Sequence, residues 1–219
     1  MENTNEVAFI GEVTAGVTHE LKNVFATIKE MTGLMEDLFI MSKSDSSIFR
    51  EQIEKQFSSI NSQIGRGIDT LKQLNRFSHS LQYECVEIDL VQTLNTMIIL
   101  YRHRARLNKV NILLAQSDEI ICFSIQPIQF QRLLILVLEC MISILSQGGN
   151  IKIQTEKLPE SVLIQFSGLH ELAETDSSHL NPNLTEQWQK IQLLARELGF
   201  KTDLNETKLE IVMELTLPE

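Results

Sequence analysis

The 219 residues are 43% hydrophobic, enough to build a real core in one large domain or two small ones. A formal charge of −10 repels polyanions over most of the surface, which argues against nucleic acid or an anionic membrane as the main partner and leaves proteins or small molecules. Cys85, Cys122 and Cys140 are far apart and form no C-x-x-C or Cys/His cluster, so neither a disulfide framework nor a zinc site is suggested and a reducing cytoplasm is expected. The opening MENTNEVAF lacks the basic and apolar regions of a signal peptide, and the apolar run LLILVLECMISIL at 133–145 contains Glu139 and is too short to span a bilayer.

In chain order, residues 7–41 place Ile10, Val13, Val17, Leu21, Val24, Ile28, Met31, Met35 and Leu38 at steps of three and four, which predicts one long helix. SKSDSS at 42–47 reads as a turn. A second stripe through Ile53, Phe57, Ile60, Ile64, Ile68, Leu71, Leu74 and Leu81 predicts a second long helix antiparallel to the first. A lone hairpin would expose half of each stripe, and pairing with a copy of itself in a four-helix bundle covers both, so a homodimer is expected.

From residue 85 the periodicity changes. VEIDL at 86–90 reads as a strand and 91–108 as a helix; KVNILLAQ and IICFSI read as a hairpin, 127–147 as a helix opened by Pro127, and GGNIKIQTEK with SVLIQFSG as another hairpin. A helix over 184–198 stopped by Gly199 and strands over 200–204 and 207–217 complete the chain. The fold class is α+β, with 1–84 as a helical hairpin and 85–219 as an α/β sandwich with helices on one face of a mixed or antiparallel sheet.

The stretch FIGEVTAGVTHELKNVFATI resembles the H-box of sensor histidine kinases, departing from its usual form at Val24, where proline is common, and at Phe25. The element order that follows is similar to a dimerisation and histidine-phosphotransfer domain joined to a gyrase-type ATP-binding domain. That domain's N-box asparagine would fall near Cys140, yet no asparagine lies between Ile128 and Gln147. Where a D-x-G-x-G loop is expected the sequence reads SGLHELAETD, and NPNLTEQWQKIQLL offers no glycine. Glycine lets backbone amides approach phosphates, so the C-terminal part reads as an ATPase-like domain without its nucleotide.

The resemblance implies a cytoplasmic histidine phosphotransferase relaying phosphoryl groups between His19 and receiver-domain aspartates of response regulators. It would have no cofactor of its own, with Mg2+ supplied by the partner. His19 faces away from the stripe; Glu20 can accept its ring N–H and fix the tautomer, and Asn23 takes the polar position one turn on. Ala15, Gly16, Lys22 and Ala26 form the partner-facing surface of the first helix, with Arg66 and Thr70 across the hairpin. With the turn near Ser44, His19 should lie level with Asp69 and be rimmed by Gln63, Arg66, Gly67, Thr70 and Gln73. His79, His103, His170 and His179 read as surface or capping residues, and RHRARLNK at 102–109 as a solvated helix end. The alternatives are a divergent kinase, a response-regulator phosphatase, or a dimeric scaffold that binds regulators without chemistry.

Overall fold

The computed structural model describes residues 2–41, 47–116, 119–145, 148–169, 184–205 and 207–217. The elements run α1 (Glu2–Met41), α2 (Ser47–Ser80), β1 (Val86–Asp89), α3 (Leu90–Leu107), β2 (Val110–Leu114), β3 (Cys122–Ile125), α4 (Pro127–Ile144), β4 (Gly149–Lys157), β5 (Ser161–Leu169), α5 (Leu184–Glu197), β6 (Phe200–Asn205) and β7 (Glu210–Thr216). The fold is α+β, a helical hairpin followed by a sheet with helices, as the periodicity predicts. Of the turn expected at 42–47, residues 42–46 lie outside the described residues, and Ser47 belongs to the start of α2 instead.

Every residue of the α1 stripe, from Ile10 to Leu38, is buried or half-buried. The α2 stripe behaves differently. Phe57, Ile64, Ile68 and Leu71 are 53%, 44%, 47% and 50% exposed, while Gly67, Thr70, Gln73 and Phe77 turn inward and are buried. Gly67 permits the close approach of the helices, because a Cβ there would sit 3.4 Å from Cγ1 of Val24.

Local signals set the remaining ends. Asp89 caps α3 by accepting a hydrogen bond from the Gln92 amide at 2.9 Å, Pro127 opens α4, and Gly199 ends α5 at φ 83°. The five-stranded sheet has the order β2-β4-β5-β7-β6, and β1 pairs with β3 in a separate two-stranded sheet. Hairpins β4–β5 and β6–β7 form as expected. The expected hairpin between 109–116 and 120–125 does not. β2 instead runs parallel to β4, with Val110 opposite Gly149, and β3 runs antiparallel to β1, with Val86 opposite Ile125. A parallel pair needs a crossover, and α4 provides it.

Alternate residues on the sheet, including Ile151 and Ile153 of β4, Ile164 and Phe166 of β5, and Ile211 and Met213 of β7, are fully buried in one apolar cluster with α3, α4 and α5. α4 is long and apolar enough by composition to cross a membrane, but 67% of it is buried here, as in a core helix. Phe9, Val13 and Val17 of α1 and Phe77 of α2 belong to the same cluster, so the open end of the hairpin is rooted in the core of the α/β part. Polar contacts frame that root. Thr96 donates to Gln73 Oε1 at 2.9 Å, Gln131 Nε2 to Ser80 Oγ at 2.9 Å, and Gln129 Nε2 to Glu6 Oε1 at 2.6 Å.

Phe77 is 1% exposed and meets Phe9 edge to face at 5.8 Å between ring centroids. Phe77→Ala is therefore expected to cost about 3–5 kcal/mol, the range for a buried phenylalanine that leaves a cavity. Chemical denaturation of the full chain measures it, and a loss below about 1 kcal/mol shows that the hairpin root is not part of the cooperative core.

Candidate functional site

His19 lies midway along α1 and is exposed, since its neighbours Val17 and Leu21 point inward and it points away. One turn on, the Asn23 amide nitrogen Nδ2 lies 3.1 Å from its Nδ1. Residues four apart share a helix face, so the pair follows from spacing alone. As placed, the amide NH2 donates to a bare Nδ1 and the ring proton is on Nε2; with the amide turned over, its carbonyl accepts from Nδ1–H and the Nε2 lone pair is free.

The second neighbour comes from α3. The His103 ring stacks on His19 with centroids 4.2 Å apart and planes 29° from parallel. The sequence places His103 at the surface or a helix cap, yet its side chain is only 16% exposed. Desolvation first, then His19, Arg106 and Arg104, pushes the His103 pKa down against the upward pull of Glu20, which favours the neutral ring. Its signal in the sequence is weak: it lies three residues after buried Leu100 on the same helical face.

Glu20 does not meet His19 as expected. Its side chain is 8% exposed, and Oε1 accepts from Arg66 Nη2 of α2 at 2.5 Å and from Arg106 Nη1 of α3 at 3.3 Å. Oε2 stands 3.8 Å from His103 Nδ1, too far for a hydrogen bond. Position 20 falls three after Val17 and four before Val24, inside the buried stripe, and that spacing could have been read. The carboxylate therefore ties three helices together, and the contact that can fix the tautomer of His19 passes to Asn23.

The Glu20–Arg66 pair and the approach of Gly67 to Leu21 and Val24 put the level of His19 close to Asp69, within about a turn of the predicted register. Ala15, Lys22 and Ala26 are exposed, and Gly16 is half-buried with nothing within 4 Å of a Cβ placed on it. Thr70 is not on a partner-facing rim: it is 5% exposed, with its hydroxyl donating to the Arg66 carbonyl at 2.9 Å. Gln73 is likewise buried under α3. Nor is the basic run of α3 merely solvated, because Arg106 reaches across to Glu20.

Beside this cluster lies a cavity of about 280 Å3, lined by residues of α1, α2 and α3 that include Asn23, Gln63, Arg66, His103 and Arg106. Elsewhere, Cys140 of α4 is fully buried and its thiol is pushed up to about 12 by desolvation. A neutral, enclosed thiol is no ligand for the magnesium of a nucleotide, which prefers oxygen donors. Residues 170–183, where the glycine-rich loop was sought, lie outside the described residues. Among the described residues no three His, Cys, Asp or Glu side chains group as a metal site.

The sequence is 25% identical over 167 residues to sporulation kinase E of Bacillus subtilis (strain 168), which covers 76% of this chain and 21% of that protein. The chain thus spans about a fifth of the length of that relative. Among solved structures, the catalytic domain of histidine kinase ThkA matches with a TM-score of 0.50 at 16% identity, covering 63% of this chain and 100% of that one. Acinetobacter baumannii histidine kinase AdeS matches with a TM-score of 0.50 at 10% identity, covering 90% and 98%. No family model matches the sequence. At these identities the structural likenesses speak for the fold.

The His19–Asn23 contact has a spectroscopic consequence. Asn23→Asp leaves only an acceptor facing the ring and is expected to shift His19 toward the Nδ1–H tautomer, while Asn23→Ala releases the ring to a mixture. Two-bond 1H–15N spectra of the histidines distinguish these states. Identical His19 patterns in wild type and both variants would show that Asn23 does not set the tautomer.

Proposed function

We propose that this chain, which has a histidine kinase-like core, is a histidine phosphotransferase exchanging a phosphoryl group between His19 and the aspartate of a response-regulator receiver domain. The observation that carries the reading is the exposed His19 ring with Asn23 at its Nδ1, within the H-box pattern. With the Asn23 amide turned so that its carbonyl accepts from Nδ1–H, the Nε2 lone pair attacks phosphorus in line. The P–N bond forms as the bond to the aspartate oxygen breaks, and the carboxylate leaves with the electron pair. The positive charge left on the imidazole spreads to Nδ1–H, where the Asn23 carbonyl stabilises it. Transfer in the other direction retraces these steps.

In this reading residues 1–84 are the phosphotransfer hairpin and 85–219 a degenerate ATPase-like unit, without ATP of its own and with Mg2+ in the acidic pocket of the partner. Burial of Cys140 at the expected asparagine position supports the loss of nucleotide. A cytoplasmic location belongs to the same reading. The 25% likeness to a sporulation kinase favours a second one, a kinase with a divergent nucleotide site. Magnesium-dependent autophosphorylation from ATP would put that reading in place of ours.

Incubation with a phosphorylated receiver is expected to give an acid-labile, base-stable label on the wild type and none on His19→Gln. Equal labelling of the two removes His19 from the chemistry. Gly16→Arg is expected to fold, because the position has open space, and to cut transfer at least tenfold by filling the small-residue approach beside the acceptor. Wild-type transfer by that variant would place the receiver elsewhere.

The exposed α2 residues Phe57, Ile64, Ile68 and Leu71, spaced seven, four and three apart, form the apolar stripe through which we propose two hairpins pair. Sedimentation velocity is expected to find a dimer in the wild type and a folded monomer for Ile68→Glu with Leu71→Glu. A wild-type monomer at micromolar concentration would rule the four-helix bundle out.

A further inference from the structure

A cluster of positive charge faces the acceptor helix. Arg66 from α2 and Arg106 from α3 converge on the single carboxylate of Glu20, and both line the cavity of about 280 Å3 beside it. Arg102 is near enough to share their field: desolvation first, then Arg106 and Arg66, pushes its guanidinium below the usual arginine value. Glu20 and, more weakly, Asp69 oppose them, and Asp69 is exposed, 4.0 Å from Lys72. In a protein of net charge −10, two guanidiniums on one carboxylate, within the field of a third, make a local excess of positive charge.

The other lining groups complement an oxyanion. Asn23 and Gln63 carry amide donors, Gln63 Oε1 already orients Arg66 by accepting from its Nη1 at 2.9 Å, and the His103 ring forms part of the wall. Asn23, which hydrogen-bonds His19, and His103, which stacks on it, are wall residues, so the cavity lies beside the acceptor residue, whose own ring is not part of the wall. Guanidinium forks match phosphate oxygens in spacing and planarity.

We infer that this cavity is an oxyanion site for the phosphoryl group borne by His19, with Arg106 exchanging the Glu20 carboxylate for phosphoryl oxygens. The inference rests on the phosphotransfer reading of His19. A phosphoryl group brings about two negative charges and three acceptor oxygens, more than the one carboxylate offers. Arg106 is the group free to exchange, since its contact with Glu20 is 3.3 Å and its side chain 44% exposed, against 2.5 Å and 33% for Arg66. No covalent bond changes in this step. Its effect is to hold the phosphorylated imidazole in one rotamer and to loosen the tie between α1 and α3 while the group is carried.

Inorganic phosphate is the probe, titrated into the full chain at constant ionic strength and followed by calorimetry and by arginine side-chain NMR signals. Wild type is expected to saturate with phosphate and not with chloride. Arg106→Gln should bind about tenfold more weakly, the loss of one charge-assisted contact, and Glu20→Gln about tenfold more tightly, because the competing carboxylate is gone. Arg106→Lys, which keeps the charge and loses the fork, should fall between them. When His19 is loaded with phosphoramidate, the carried group should fill the cavity and abolish binding of free phosphate. No saturable phosphate binding by wild type and Glu20→Gln, or equal binding by Arg106→Gln, overturns the inference. So does unchanged phosphate binding after loading, which would mark a site for the free ion only. If His19 loads and transfers while phosphate fails to bind, the cavity alone is misread. If phosphate binds but His19 cannot be loaded, the transfer reading falls, and with it the assignment of the anion to His19.

Discussion

The arrangement around the acceptor depends on one buried carboxylate. Glu20 is held at 8% side-chain exposure by guanidiniums from two other helices, and without them an ionised carboxylate at that depth would cost several kcal/mol. The partners keep a third or more of their own side chains in water, so the pairing is screened and worth less than a fully enclosed one. Its main consequence is geometric. Arg106 is drawn across to α1, α3 is held at the level of His19, and the His103 ring lies over the acceptor.

Apolar packing makes that geometry reproducible. Phe9, Val13 and Val17 enter the same core as Leu94, Leu134 and Phe166, so α1 is anchored in the α/β part less than one turn before His19. A charge pair alone would let α3 slide, because long side chains tolerate displacement, whereas interlocked core side chains do not. The core fixes where the helix lies, and the carboxylate selects which of its residues face the acceptor. The acid next to the acceptor thus acts on architecture, and the tautomer is left to Asn23.

Much of this fold was legible in the sequence where one physical signal dominated. The α1 stripe, the β4–β5 and β6–β7 hairpins, the Pro127 start and the Gly199 stop follow from periodicity and turn chemistry, and the structure keeps them. The β2–β3 pairing failed because neighbouring strands ordinarily form hairpins, and nothing local in KVNILLAQ announces a parallel partner some 40 residues away. The α2 stripe was found, but periodicity names an apolar face without saying what it packs on. At the site, His19 and Asn23 were legible because they share one helix face. The roles of Glu20, His103 and Arg106 were not, since their contacts join residues 46 to 86 positions apart.

One face of the His19 ring is covered by His103, which, for the transfer proposed above, limits how a receiver can approach. Stacking occupies the space above the imidazole plane, whereas attack on phosphorus uses a lone pair that lies in the plane. The two do not compete for the same direction, so α3 need not leave before Nε2 can react. What the stack removes is rotation: a ring fixed by Asn23 at its edge and by His103 on its face has little freedom left to lose when a partner docks. The approach that remains open runs past Ala15, Gly16 and Ala26, where small side chains keep partner backbone from being held away. For the proposed transfer, preorganisation of the ring and the low relief of its surroundings act together, the first lowering the entropy lost on docking and the second letting the donor come within bonding distance.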